Sequence, residues 1–283
     1  MHIVERVPSD DGSTVKYLQR LDDGFLVETA YIRARTKHIL CVSTQVGCAI
    51  GCTFCVSGVR KEGRYRRSLT SGELLEQTRN IVRELDFARY PQPLLFSFMG
   101  EGEPFLNFDS CITAFHEIGD ATWPVTTRLA VSTSGIRPDL IRQLGRMEFR
   151  RPLKLQVSLH GPTDEVRRRL VPVTKPLAEI LGAAREYRAR CKRPVEWNYV
   201  LCSGVNDDLE HARLLAKLLG RGWHVKFNRL NPVTHSPLAP SSTQRIAAFQ
   251  QILRSHGITC EYYETNEGKV TSGCGQLSYK YAT

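Results

Sequence analysis

Apolar and polar positions alternate from 14 to 32. Val15, Tyr17 and Leu21 precede Asp22-Asp23-Gly24, and Phe25, Val27, Thr29 and Tyr31 follow it. Period-two alternation around an Asp-Gly turn predicts a β-hairpin. The next apolar run, 39–42, predicts a buried strand, and from there a strand-then-helix pattern repeats. Further strands are predicted at 94–99, 129–132, 153–159, 195–201 and 225–230. Helical periodicity falls at 108–118, 138–147, 176–190, 208–220 and 243–256. Thr70-Ser71-Gly72-Glu73 has the spacing of a capping box and starts a helix predicted to run to about residue 88. Six βα units with near-continuous apolar strands predict an α/β fold, a parallel sheet covered by helices. Periodicity leaves open whether that sheet is flat or curled. A last strand is predicted at 259–263, and no linker or internal repeat divides the chain. The expected organisation is a hairpin extension at 1–36 and one α/β domain at 37–283.

The first strand runs into Gly47-Cys48-Ala49-Ile50-Gly51-Cys52-Thr53-Phe54-Cys55, three cysteines at C-x3-C-x2-C spacing. Short spacings lower the entropy lost when several sulfurs converge on one metal site. Three thiolates leave one iron of a 4Fe-4S cluster without a protein ligand, free to hold something else. Zinc wants four ligands and more often shows paired C-x2-C units, and disulfides belong to exported proteins. Cys48, Cys52 and Cys55 are therefore the candidate cluster ligands.

Composition narrows the setting. Hydrophobic residues are 41% and charged residues 24%, ordinary for a globular protein. The start, Met1-His2-Ile3-Val4-Glu5-Arg6, lacks the apolar run of a signal peptide, and no stretch approaches the length of a membrane span. The expectation is a cytoplasmic protein with no membrane partner. Nine cysteines, an odd number, point to thiols and metal rather than a disulfide scaffold. The net charge of +10 suits a polyanionic partner such as nucleic acid, although many basic proteins bind none. A basic segment after the cysteines, Arg60, Lys61, Arg64, Arg66 and Arg67 with Tyr65 between them, fits a solvated loop or phosphate contact equally.

Parallel α/β folds bind ligands beyond the C-terminal ends of their strands. Several predicted strands end in polar residues: Met99-Gly100-Glu101-Gly102-Glu103-Pro104, Ser132-Thr133-Ser134-Gly135, Ser158-Leu159-His160 and Asn231-Pro232. Glycines admit a ligand close to backbone, hydroxyls suit a ribose, and a carboxylate suits an ammonium group. Taken singly, each also fits a turn, a helix cap or a satisfied core histidine.

With these motifs in order, the sequence resembles the radical S-adenosylmethionine (SAM) superfamily, and within it the RlmN/Cfr type of RNA adenine methyltransferases. The resemblance runs from Leu26-Val27-Glu28-Thr29 through the stretch 41–48, the strand-end motifs and Asn231-Pro232 to Cys274-Gly275-Gln276-Leu277. It implies a partial (β/α)6 barrel with an N-terminal β-hairpin extension, in which SAM chelates the open iron of a 4Fe-4S cluster. By position it implies Gly102, Glu103, Ser132, Ser158, Leu159, His160 and Asn231 as SAM-binding residues.

Two cysteines outside the cluster motif, Cys41 and Cys274, read on their own as a buried thiol and a tail residue. The resemblance gives them roles. It implies that Cys274 accepts a methyl group from one SAM, and that a 5′-deoxyadenosyl radical from a second removes hydrogen from that methyl. The carbon radical then adds to an sp2 carbon, most simply carbon 2 or carbon 8 of adenine in RNA. Glu28 takes the substrate proton, and Cys41 attacks the Cys274 sulfur, forming a disulfide and releasing product. An electron donor such as flavodoxin or ferredoxin completes the implied partners of a monomeric enzyme. Only 25 residues precede Leu26, so the expectation is a short form without the N-terminal helical accessory domain that full-length relatives use on RNA. That departure keeps open a nucleoside-like or peptide substrate for the same chemistry, and a non-catalytic RNA-binding or cluster-sensing role.

Overall fold

The alternating N-terminal stretch forms three antiparallel strands: β1 (His2–Pro8), β2 (Thr14–Arg20) and β3 (Leu26–Ala34). The predicted hairpin is β2–β3, closed by a turn with Gly24 at φ +90°. β3 pairs in turn with β4 (Lys37–Cys41), so the extension joins the main sheet edge to edge. A computed structural model of the chain describes residues 1–59, 64–231, 233, 236–263 and 277.

From β4 onward every added strand is parallel: β7 (Leu94–Phe98), β8 (Thr127–Thr133), β9 (Leu153–Ser158), β10 (Val195–Val200), β11 (His224–Asn228) and β12 (Thr259–Tyr263). A separate two-stranded ladder, β5 (Gln45–Val46) with β6 (Arg67–Ser68), frames the cysteine loop. That loop carries one turn of helix, α1 (Val56–Val59). The crossovers are α2 (Ser71–Val82), α3 (Phe108–Asp120), α4 (Pro138–Leu144), α6 (Leu177–Cys191), α7 (Leu209–Leu219) and α8 (Thr243–Ser255), with a short α5 (Asp164–Leu170) after β9. The expected capping box holds: Glu73 N–H donates to Thr70 Oγ1 and Thr70 N–H to Glu73. α2 stops at Val82, earlier than periodicity predicts, and the chain continues in turns closed by Glu84 N–H to the Ile81 carbonyl and Leu85 N–H to the Val82 carbonyl.

The sheet curls. Residues of β2, β3, β4, β7, β9, β11 and β12 line a single cavity of about 360 Å³, which strands near opposite edges of a flat sheet cannot do. Outward positions such as Phe96, Leu155, Trp197 and Phe227 are fully buried under the helices. Inward positions on the same strands are polar: Ser97, Gln156, Asn198 and Asn228. Alternation on a barrel thus separates an apolar layer beneath the helices from a lumen of mixed polarity, which Ile39 and Leu95 also line. No helix among the described residues is long and apolar enough to cross a membrane.

Candidate active site

The loops beyond the C-terminal ends of the strands are stitched to one another by buried side chains. Ser43, two residues past β4, donates its hydroxyl to the Glu28 carbonyl and accepts the Glu101 N–H. Gln77 on α2 grips the same residue from behind, accepting Ser43 N–H at 2.9 Å and donating to Ser43 O at 3.0 Å. Gln45 accepts Glu103 N–H, and Glu101 Oε1 accepts the N–H of Gly47, next to Cys48. The 99–104 turn and the cysteine loop therefore form one rigid unit. Close backbone approach demands glycine in it. At Gly47, φ +74°, a Cβ would lie 2.1 Å from the Arg64 carbonyl oxygen, and at Gly102, φ +103°, 2.7 Å from Gln45 Cβ.

Cys48, Cys52 and Cys55 line one cavity of about 140 Å³ together with Gly102, Glu103, Ser132, Ser158 and His160. Burial pushes the Cys48 thiol up to about 12 and Cys52 well above the usual thiol range. Such thiols keep their protons until a metal displaces them. Three converging soft donors and no fourth in the motif fit an iron–sulfur cluster with one open iron. Glu103 uses both carboxylate oxygens on backbone, accepting Phe105 N–H at 3.0 Å and Ser134 N–H at 2.7 Å. Burial raises Glu103 above the ordinary carboxylate range, and takes Glu101 up to about 8 with help from the nearby Glu28 charge.

His160, at φ +56°, accepts Val200 N–H on Nδ1 at 3.1 Å and lies edge-on to Phe54 at 4.6 Å between centroids. Burial, with the Arg167 charge beside it, lowers His160 to about 3, so the ring is neutral. Leu159 is the exception among the expected residues: its side chain is fully buried, and the cavity is lined by its neighbours Ser158 and His160. Asn231 lies one step further, in a cavity that also holds Phe54, Cys55, Met99, Ser158 and His160.

Cys41 and Glu28 share the 360 Å³ lumen cavity, which has Met99, Arg229 and Asn231 in common with the Asn231 cavity. The two cavities thus share wall residues between the cysteine loop on one side and Cys41 and Glu28 on the other. Glu28 is buried, with Oε1 3.1 Å from Lys16 Nζ and Oε2 accepting Leu277 N–H at 2.7 Å. Cys274 lies outside the described residues, three positions before Leu277 in sequence. Of the basic segment, Arg67 is committed to Asp23 and Glu73.

Several residues of the site carry no motif. Arg167 on α5 is fully buried and donates to the carbonyls of Ser134, Ser158 and Leu159, tying the ends of β8 and β9 together. Among the described residues Asn198 Oδ1 is buried without a hydrogen-bond partner, and Asn198 lines the cavity that also holds Cys55. An orphaned acceptor in a cavity wall suits a polar ligand such as an amino-acid nucleoside.

Residues 42–216 match the family model of the radical SAM superfamily. A protein of Symbiobacterium thermophilum, named "Probable dual-specificity RNA methyltransferase RlmN", is 41% identical over 270 residues, 93% of this chain and 71% of its own length. The "Dual-specificity RNA methyltransferase RlmN" of Syntrophobacter fumaroxidans is 36% identical over 99% of this chain and 81% of its own length. The crystal structure of a radical SAM methyltransferase from Sphaerobacter thermophilus superposes with a TM-score of 0.87 at 36% identity, covering 97% of this chain and 80% of that one. The fold and the cysteine loop define a radical SAM enzyme of the methyltransferase class. The chain belongs to the radical SAM superfamily and, within it, to the RlmN family. Membership implies a 4Fe-4S cluster and SAM as its cofactors.

Proposed function

We propose that this chain methylates an sp2 carbon of adenine in RNA, carbon 2 or carbon 8, by way of a methylated cysteine. One observation carries the reading: Glu28 and Cys41 line the same cavity, and that cavity shares Met99, Arg229 and Asn231 with the cavity that holds Cys55. The RNA part rests on the names of the relatives and on the net charge of +10.

Cys48, Cys52 and Cys55 would hold the cluster, and the ends of β7, β8, β9 and β11 would hold SAM, with Gly102, Glu103, Ser132, Ser158, His160 and Asn231 as the expected contacts and the backbone of Leu159 beside them. When bound, the pair supplies a methyl group and a hydrogen-abstracting radical, chemistry that no side chain provides. The protein orients the rest. Cys274 takes the methyl group on sulfur, and an aromatic carbon with no nucleophilic lone pair is bonded through that methyl. Glu28 removes the proton from the substituted carbon, and its burial keeps water from competing for the role. The Cys41 thiolate then attacks the Cys274 sulfur: a disulfide forms, the carbon–sulfur bond breaks with its electron pair going to the bridging carbon, that carbon takes up a proton to become the methyl group, and the product leaves. A low-potential donor such as flavodoxin or ferredoxin restores both thiols and reduces the cluster.

The test is anaerobic incubation with methyl-labelled SAM and candidate RNAs, followed by mass analysis of nucleosides and of the Cys274 peptide. Label in 2- or 8-methyladenosine is expected. Label on Cys274 but on no RNA overturns the substrate assignment and keeps the mechanism.

A further inference from the structure

Lys16 sits at the third position of β2, between Val15 and Tyr17, where a strand alternation places a residue facing solvent. It is instead 3% exposed. The register explains where it goes. Lys16 is opposite Ala30, and Ala30 is opposite Cys41, so the three form one row across β2, β3 and β4 on the lumen side. Glu28 is two residues from Ala30 on the same face, within diagonal reach of a long side chain. The ammonium spans that diagonal to Glu28 Oε1 at 3.1 Å, and both side chains are 4% exposed. Both residues line the cavity that holds Cys41.

A carboxylate in so enclosed a place loses its hydration, and that cost is offset only by partners that contact it directly. A lysine whose only task was to pack would bring its charge into the lumen at the same desolvation cost with nothing gained. We propose that Lys16 is a positioning residue that holds the Glu28 carboxyl group in place, aimed into the cavity it shares with Cys41. The inference rests on the reading of Glu28 as the base. With Lys16 on Oε1 and Leu277 N–H on Oε2, the carboxyl plane is fixed from both sides.

The experiment compares Lys16→Met, Lys16→Arg and Glu28→Gln in the cluster-loaded full chain. Lys16→Met is expected to cleave SAM to 5′-deoxyadenosine as fast as the wild type, since that step precedes proton removal. Its kcat for methylated RNA falls on the order of 10²-fold with KM unchanged, and a covalent protein–RNA adduct accumulates. Lys16→Arg recovers most of the rate. Because Lys16→Met leaves a buried carboxylate uncompensated, the double variant with Glu28→Gln serves where the single one folds poorly. In the Glu28→Gln background the second change is expected to cost no further activity. Parallel loss of SAM cleavage and methylation in Lys16→Met, no recovery with Lys16→Arg, or additive losses in the double variant overturn the proposal. Normal turnover in Glu28→Gln overturns the base assignment itself. An inactive Glu28→Gln with a wild-type kcat in Lys16→Met sinks the Lys16 role alone.

Discussion

Arg167 Nη1 donates to the Ser158 carbonyl at 2.6 Å, from a side chain with no exposed surface. The same guanidinium reaches the carbonyls of Leu159 and Ser134, so one residue fixes two strand ends that wall the cavity beside the cysteines. Burial lowers Arg167 to about 10, still cationic near neutral pH. Lysine offers a single point charge in place of the planar fork. Arg167→Lys is expected to lose about 3 kcal/mol of stability, because buried carbonyls are left without donors. SAM affinity, measured calorimetrically, is expected to fall at least about tenfold, as about 1.4 kcal/mol of lost contacts would require. Unchanged affinity in a folded variant would show that the strand ends hold their geometry unaided.

Arg167 also marks the limit of what the amino-acid pattern discloses. It stands in Arg167-Arg168-Arg169, a run that resembles a solvated helix face, and Arg168 and Arg169 are exposed as such a face should be. Only the tertiary fold singles out the first. Lys16 is hidden for a related reason: alternation in a half-buried sheet marks one face as wet, whereas a curled sheet encloses both. The apolar faces of the helices, the capping box of α2 and the cysteine loop were legible because each is a local signal. β1 was missed because its residues, His2 to Pro8, form an edge strand of mixed polarity with Val4 39% exposed. Leu159 was legible as part of a motif, but its side chain points into the core.

The cysteine loop offers a second test through its glycines. A Cβ at Gly47 would lie 2.1 Å from the Arg64 carbonyl oxygen, while at Gly51, φ +71°, it would meet nothing within 4 Å. Gly51→Ala therefore carries only backbone strain, about 1–2 kcal/mol, whereas Gly47→Ala forces the loop away from residue 64. Iron and sulfide analysis after reconstitution is expected to show near-normal loading in Gly51→Ala and strongly reduced loading in Gly47→Ala. Equal loading in the two would refute the steric account.

The neutral His160 gives stability a pH dependence. Its folded value of about 3 lies below the unfolded 6.5, so the unfolded chain binds more protons between them. The contribution is complete above about pH 6.5 and drains away as pH falls toward 3, by about 4–5 kcal/mol in all. His160→Gln, with an amide oxygen to accept Val200 N–H, removes the titration. Urea unfolding of the cluster-free chain at pH 7, 6 and 5 is expected to show a steeper loss in the wild type than in His160→Gln. Parallel curves would contradict the burial of an uncharged ring.

Release of product can be separated from its formation at Cys41. The thiol is 7% exposed, lies across the ladder from Ala30 and Ser97, and faces the cavity that also holds Glu28. Under the proposed mechanism it acts last, after the methyl carbon is bonded to RNA and to the Cys274 sulfur together. Cys41→Ala takes away only the attacking sulfur and leaves a small void at the cavity wall, worth about 1 kcal/mol or less of stability. SAM cleavage and methylation of Cys274 should proceed. Labelled RNA is then expected to remain covalently attached to the protein, seen as a band that survives denaturing electrophoresis and yields a Cys274 peptide carrying a nucleotide through one bridging carbon. Multiple turnovers of free methylated RNA by Cys41→Ala would eliminate the disulfide as the release step, while leaving the roles of the three cluster cysteines and Glu28 untouched.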